Sequence, residues 1–193
     1  MAASPIDVFN QWLNEEVNQA KVRIPTACCL STIGTDGYPN ARFVSLKDIV
    51  DDHFIVTGPL GSRKGIEINN TNKVALTFWW TATERQVRVQ GNATEMDAQL
   101  ADKYFAERNR ESQIVALASA QGQEIDNLAI LAEKYENIEA RFANKPLPRP
   151  SDWGGYLIDP IRIEFLEFKP TRFHHRKLYE RNNGRWIIKQ LQP

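Results

Sequence analysis

Tyr104, Arg108 and Ser112 stand four residues apart in KYFAERNRES. On an unbroken helix they would share one face and present a hydroxyl, a guanidinium and a second hydroxyl together, a set suited to gripping a phosphate. The same spacing describes an ordinary solvated helix face, and Asn109 weakens the assumption of an unbroken helix. A second set is Gly61-Ser62-Arg63-Lys64, where free backbone N–H groups, a helix dipole and two cations could converge on an anion at the start of a 63–69 helical segment. A surface turn with two solvated cations fits it equally well, and it lacks the GxxxxGK[ST] spacing of an ATP-type phosphate loop. Arg172-Phe173-His174-His175-Arg176 supplies the side chains most easily tuned for proton traffic near neutral pH. In ARFVSLK, strand alternation puts Arg42, Val44 and Leu46 on one side and Phe43, Ser45 and Lys47 on the other.

Other chemistries find little support. Adjacent histidines on a strand cannot both face one metal, and the chain has no His/Cys/carboxylate set at a structural zinc spacing, so no metal is expected. Cys28 and Cys29 are neighbours in an apolar stretch, which suits small buried residues better than a disulfide or a catalytic thiol. Neither the G-x-S-x-G elbow of serine hydrolases nor the G-x-G-x-x-G of nicotinamide sites is present.

The 193 residues are enough for one domain that buries roughly 70% of the surface its unfolded chain exposes. Lys and Arg number 24 and Asp and Glu number 24, so no whole-chain field draws the protein to nucleic acid or to an anionic membrane. A basic C-terminal stretch from Lys169 to Lys189 is the weak counter-argument for nucleic acid. No apolar run approaches the ~20 residues needed to cross a bilayer, and MAASPIDVFNQ lacks the features of a signal peptide, so a cytoplasmic location is the default expectation.

The elements that must position these side chains read as follows. Ser4-Pro5 starts a helix within residues 1–22, with Ile6, Phe9, Leu13 and Val17 at helical spacing. Residues 26–95 carry five strands, ACCLSTI, ARFVSLKDI, HFIVT, KVALTFWW and RQVRVQG, as in a meander or barrel. Residues 97–142 read as two helices, Asp97 to Ser119 and Glu124 to Phe142, the second with Ile125, Leu128, Leu131, Tyr135, Ile138 and Phe142 in a stripe. Residues 153–193 return to strands, with YLIDPIRIEFLEF followed by a hairpin around NNG. No repeat or linker divides residues 1–193, so a single domain is expected.

Six segments in order, RFVSLK, GSRKGIEI, ERQVRVQG, KYFAERNRESQI, RPSDWGGY and RFHHRKLYER, make the chain resemble the pyridoxamine 5'-phosphate oxidase family along nearly its whole length. The resemblance implies a mainly β fold with flanking helices, a split β-barrel of Greek-key type, forming a homodimer with flavin mononucleotide (FMN) at the subunit interface. It also implies that Arg42, Phe43, Val44, Ser45, Leu46, Lys47, Thr57, Arg63, Lys64, Gln86, Gln121 and Arg176 contact the flavin. Lys47, Tyr104, Arg108 and Ser112 would grip the phosphate of a small substrate, and Arg172 and His174 would lie over its ring as the catalytic pair. The implied reaction oxidises pyridoxine or pyridoxamine 5'-phosphate to pyridoxal 5'-phosphate, hydride passing from substrate C4' to flavin N5 and oxygen reoxidising the flavin.

Three features depart from the family pattern. Leu166 stands where tryptophan is usual, Gly122 stands where serine is common, and the chain starts close to its first helix without the arm that covers the substrate in many members. They keep two alternatives open: oxidation of another aromatic ring, as in phenazine biosynthesis, and a flavin or pyridoxal phosphate binding protein without significant turnover.

Overall fold

The computed structural model describes residues 4–21 and 23–193. Helix α1 spans Pro5–Gln19, with Ser4 as its N-cap accepting from the Ile6 N–H and proline at the first helical position. The sequence reading of 1–22 thus overshoots at its C-terminal end, where Ala20 and Lys21 are not helical, while residues 1–3 and 22 lie outside the described residues.

Strands β1 (Ala27–Ile33), β2 (Pro39–Ser45), β3 (Asp48–Val50), β4 (His53–Pro59), β5 (Lys73–Trp80) and β6 (Arg85–Glu95) form most of a curled antiparallel sheet. Helix α2 (Arg63–Asn70) is inserted between β4 and β5. ARFVSLKDI is two strands rather than one. The Leu46 N–H donates to the Thr26 carbonyl, whereas the Lys47 N–H donates to the Ile55 carbonyl, so at this corner the chain leaves β1 for β4.

Helices α3 (Ala98–Ala106), α4 (Arg110–Ala118) and α5 (Ala129–Arg141) follow. The single helix expected from Asp97 to Ser119 is broken because Asn109 caps α4, its side chain accepting from the Ser112 N–H at 3.0 Å. Tyr104 therefore lies in the last turn of one helix, Arg108 in the link and Ser112 in the first turn of the next. The last helix begins at Ala129 rather than Glu124, leaving Leu128 73% exposed, while Tyr135, Ile138 and Phe142 keep the inward stripe.

Strand β7 (Trp153–Glu167) is the spine of the sheet. Its first half pairs with β4, its second half with β8 (His175–Asn182), and its other edge with β6 along the whole length. The register slips between Gln90 and Gly91, opposite Pro160, which cannot donate to the ladder. Strand β9 (Arg185–Leu191) closes the hairpin through Asn183 and Gly184, both at positive φ, a two-residue turn that NNG encodes.

Two apolar clusters hold the sheet. Inside the curl, Phe9 of α1 meets Phe54 and Phe78 edge-on, both at 4.9 Å between centroids. Outside it, Phe105 packs on Trp153 at 5.2 Å, with Ile55, Tyr104 and Ile114 around them. Phe54, Ile55 and Val56 are consecutive and all buried because β4 is covered on both faces. Cys28 lies in the inner cluster without a disulfide, burial lifting its thiol to about 12, whereas Cys29 is only half-buried.

Candidate active site

The corner between β2 and β4, the start of α2 and the ends of α3 and α4 surround a cleft of about 340 Å³. Phe43, Val44, Ser45, Thr57, Lys64, Arg108 and Gln121 line it, with Trp153 as part of its wall. Lys64 reaches it because the chain before α2 folds back tightly. A Cβ on Gly65 would lie 1.9 Å from the Leu60 carbonyl oxygen, and one on Gly58 would lie 3.1 Å from Lys64 Nζ.

The Lys64 ammonium donates to Ser62 Oγ at 2.9 Å and to Gln121 Oε1 at 2.8 Å, both neutral. Burial, assisted by the charge of Arg42, lowers its pKa to about 8. Arg108 is the second cation of the cleft. Its guanidinium lies over the Trp153 ring at 5.1 Å, Nη2 donates to the Ser112 carbonyl, and Nε is buried without a partner among the described residues. Among the described residues no carboxylate lines this cleft, so its chemistry fits a bound anion.

Arg42 and Arg63 are engaged elsewhere. Both converge on Glu67, a buried carboxylate on α2, at 2.9 Å each, and Thr32 and Asn40 donate to the same group. Burial alone would raise the Glu67 carboxyl, but the hydrogen bonds from Thr32, Arg63 and Arg42 hold it below the usual range. Leu46 is buried in the inner core, and Phe43 is 79% exposed at the mouth of the cleft.

Beside the cleft, Lys47 lies over the Tyr104 ring at 5.1 Å and donates to Glu107 Oε2 at 2.6 Å. Tyr104 donates to Asp48 Oδ2 at 3.1 Å. Burial, with the hydrogen bond to Asp48 and the charge of Glu107, raises the tyrosine to about 12.

The remaining residues of interest form a separate group at the other end of β7. Gln86 pairs with Leu166, which pairs with Arg176, and Arg176 forms an ion pair with Glu164 at 2.7 Å. Arg172 sits exposed in the turn before β8 at a φ of 67°. His174 Nδ1 accepts from the Lys169 N–H at 3.0 Å, which leaves Nε2 to carry the ring proton of the neutral imidazole. Its ring meets Phe168 at 5.0 Å, and Phe168 meets Trp79 at 5.1 Å. Thr57 pairs with Gly155 near one end of β7 and Gln86 with Leu166 at the other, so the two groups are separated by roughly 35 Å measured along the strand.

Sequence reasoning missed Glu67, Glu107, Asp48 and Trp153. Glu67 carries a readable signal, since it stands four residues after Arg63 on a short helix. Glu107 and Asp48 meet their partners only through the fold, 60 and 56 residues away along the chain.

The family described as pyridoxamine 5'-phosphate oxidase matches residues 13–142, and the pyridoxine 5'-phosphate oxidase C-terminal dimerisation region matches residues 153–193. The pyridoxine/pyridoxamine 5'-phosphate oxidase of Vibrio cholerae is 40% identical over 193 residues, covering 100% of this chain and 91% of that protein. That of Leptospira biflexa is 36% identical over 189 residues, covering 98% and 89%. PhzG from Burkholderia lata, solved in complex with tetrahydrophenazine-1-carboxylic acid, superposes with a TM-score of 0.93 at 30% identity, covering 100% of this chain and 94% of that one. An FMN-binding relative from Nostoc punctiforme shares the fold, with a TM-score of 0.82 at 16% identity and full coverage of both chains. The molecule is a split-barrel oxidoreductase. It belongs to the pyridoxamine 5'-phosphate oxidase family.

Proposed function

We propose that the protein binds FMN between two copies of the chain and oxidises pyridoxine or pyridoxamine 5'-phosphate to pyridoxal 5'-phosphate. The observation that carries the reading is the cleft containing Lys64 and Arg108, two cations without a lining carboxylate. Lys64 would hold the flavin's phosphate, with the Ser45 and Thr57 hydroxyls and the Gln121 amide beside it. Gln86 and Arg176 lie too far along β7 to join the same ligand from the same chain, so they would reach it from a second copy. The matched dimerisation region covers residues 153–193, which include Arg176.

When bound, FMN supplies a two-electron acceptor and returns those electrons to oxygen. The chain's own part is placement. Lys47, Tyr104, Arg108 and Ser112 would hold the substrate's phosphate, and Arg172 and His174 would cover its ring. The Lys169 N–H fixes His174 with Nε2–H outward, so in its neutral form this side chain would donate a hydrogen bond to the substrate rather than take its proton.

A second reading, oxidation of another aromatic ring, is favoured by Leu166. This aliphatic side chain lies beside Gln86 and Arg176 and leaves room for a larger ring than an aromatic residue would. One experiment separates the readings. The absorbance of the FMN-loaded protein is followed without oxygen as pyridoxine 5'-phosphate is added. Bleaching that reverses in air supports the proposal, and an unchanged flavin band rejects this substrate.

A further inference from the structure

Of the four side chains proposed to hold the substrate's phosphate, Lys47, Tyr104 and Arg108 already have partners, and two of those partners are acids. Lys47 Nζ lies 2.6 Å from Glu107 Oε2, and the Tyr104 hydroxyl donates to Asp48 Oδ2. Arg108 donates to the Ser112 carbonyl, and the Ser112 N–H is taken by Asn109. Lys64, by contrast, has only neutral acceptors among the described residues. The substrate side of the site therefore contains its own negative charge, and among the described residues the lining of the Lys64 cleft does not.

Glu107 is well built to act as a replaceable occupant. Its backbone caps α3, with its N–H on the Lys103 carbonyl, so its position is fixed by the helix rather than by Lys47. Its side chain is 42% exposed and can swing to solvent without leaving a buried charge. Asp48 is held more firmly, its other oxygen accepting from the Ile49 N–H at 2.8 Å. An incoming phosphate dianion must thus expel Glu107 from Lys47 and then remain close to both carboxylates, whereas an uncharged ligand need not.

We propose that Glu107 is a specificity-determining residue of the substrate site: an internal anion that occupies Lys47 until a phosphate monoester displaces it, and that weakens dianionic ligands relative to uncharged ones. The same carboxylate, by returning to Lys47, assists release of a phosphorylated product. The inference rests on the proposed placement of the substrate's phosphate at Lys47.

The test compares binding of pyridoxal 5'-phosphate and of unphosphorylated pyridoxal to FMN-loaded wild-type, Glu107→Gln and Glu111→Gln proteins. Glu111 is an exposed acid four residues further on, in the first turn of α4, and serves as the control for net charge. Glu107→Gln is expected to raise the preference for the phosphorylated ligand about tenfold, and Glu111→Gln less than about twofold. No rise in Glu107→Gln, or an equal rise in both variants, overturns the inference. Turnover of pyridoxine 5'-phosphate is followed in the same samples. Absent turnover with the tenfold shift intact overturns the oxidase reading alone, turnover without the shift overturns this inference alone, and binding of neither ligand overturns both.

Discussion

Two lysines flank the corner where β2 gives way to β3, and they hold different things. Lys64 donates to a serine hydroxyl and an amide oxygen inside a cleft, while Lys47 donates to the carboxylate of Glu107 on the helical side. Both are partly shielded from water, so the difference lies in the counter-ion. A half-buried ammonium among neutral oxygens has its pKa lowered to about 8 and gains most from an external anion. An ammonium beside a carboxylate has already made most of that gain. A cation in a cleft is therefore evidence for an anion site only when nearby acids have been accounted for.

The largest expected effect breaks the first half of this contrast. Lys64→Met removes the cleft's charge-assisted donor and should weaken FMN binding about 100-fold, a loss of roughly 2.8 kcal/mol, while leaving riboflavin affinity nearly unchanged. Flavin fluorescence titration of both ligands reads this directly, and equal losses for the two would remove the phosphate from Lys64.

Glu67 separates the cations of the cleft from those of the scaffold, since it keeps Arg42 and Arg63 occupied. Glu67→Leu should lower stability by about 2 kcal/mol, measured by denaturant unfolding, because Thr32, Asn40 and Arg42 lose their acceptor. The Glu67 carboxyl titrates below its unfolded value, so its contribution is present above the ordinary carboxylate range and is lost as pH falls through the folded value. Glu67→Gln should accordingly lose less stability than wild type on acidification.

A smaller effect comes from Lys64 itself. FMN phosphate favours the protonated lysine, whose pKa in the unliganded protein is about 8, so affinity should fall as pH rises above that value. A flavin titration series across pH should show the decline in wild type and not in Lys64→Met. The smallest effect is on the other lysine. Glu107→Gln should change the unfolding free energy by less than about 1 kcal/mol, because the pair it breaks is solvent-accessible.

Much of the fold was legible from periodicity and turn chemistry. Ser4-Pro5 marked the first helix, β-branched runs marked β1, β4, β5 and β6, and Asn183-Gly184 marked the last hairpin. The misread places are those where tertiary contacts override a continuous local pattern. RFVSLKD alternates smoothly through a corner at which the backbone changes partner, and nothing in Leu46 or Lys47 announces the change. Asn109 did carry a signal, because asparagine caps helices more readily than it continues them. The site was legible by residue type but not by pairing. Arg42, Lys47 and Tyr104 are residue types an anion site would use, yet their partners come from distant parts of the chain, whereas Arg63 pairs with Glu67 within its own helix.

The central claim is that the Lys64 cleft and the Gln86–Arg176 group are halves of one flavin site contributed by different copies of the chain. Subunit mixing tests it most directly. Lys64→Met and Arg176→Met proteins, each weak in FMN binding, are unfolded and refolded together, and bound flavin is counted. Hybrid dimers of two such chains would carry one intact and one doubly altered site, so the mixture should regain about a quarter of the wild-type sites. No regain beyond the two parent proteins would contradict a site shared between copies.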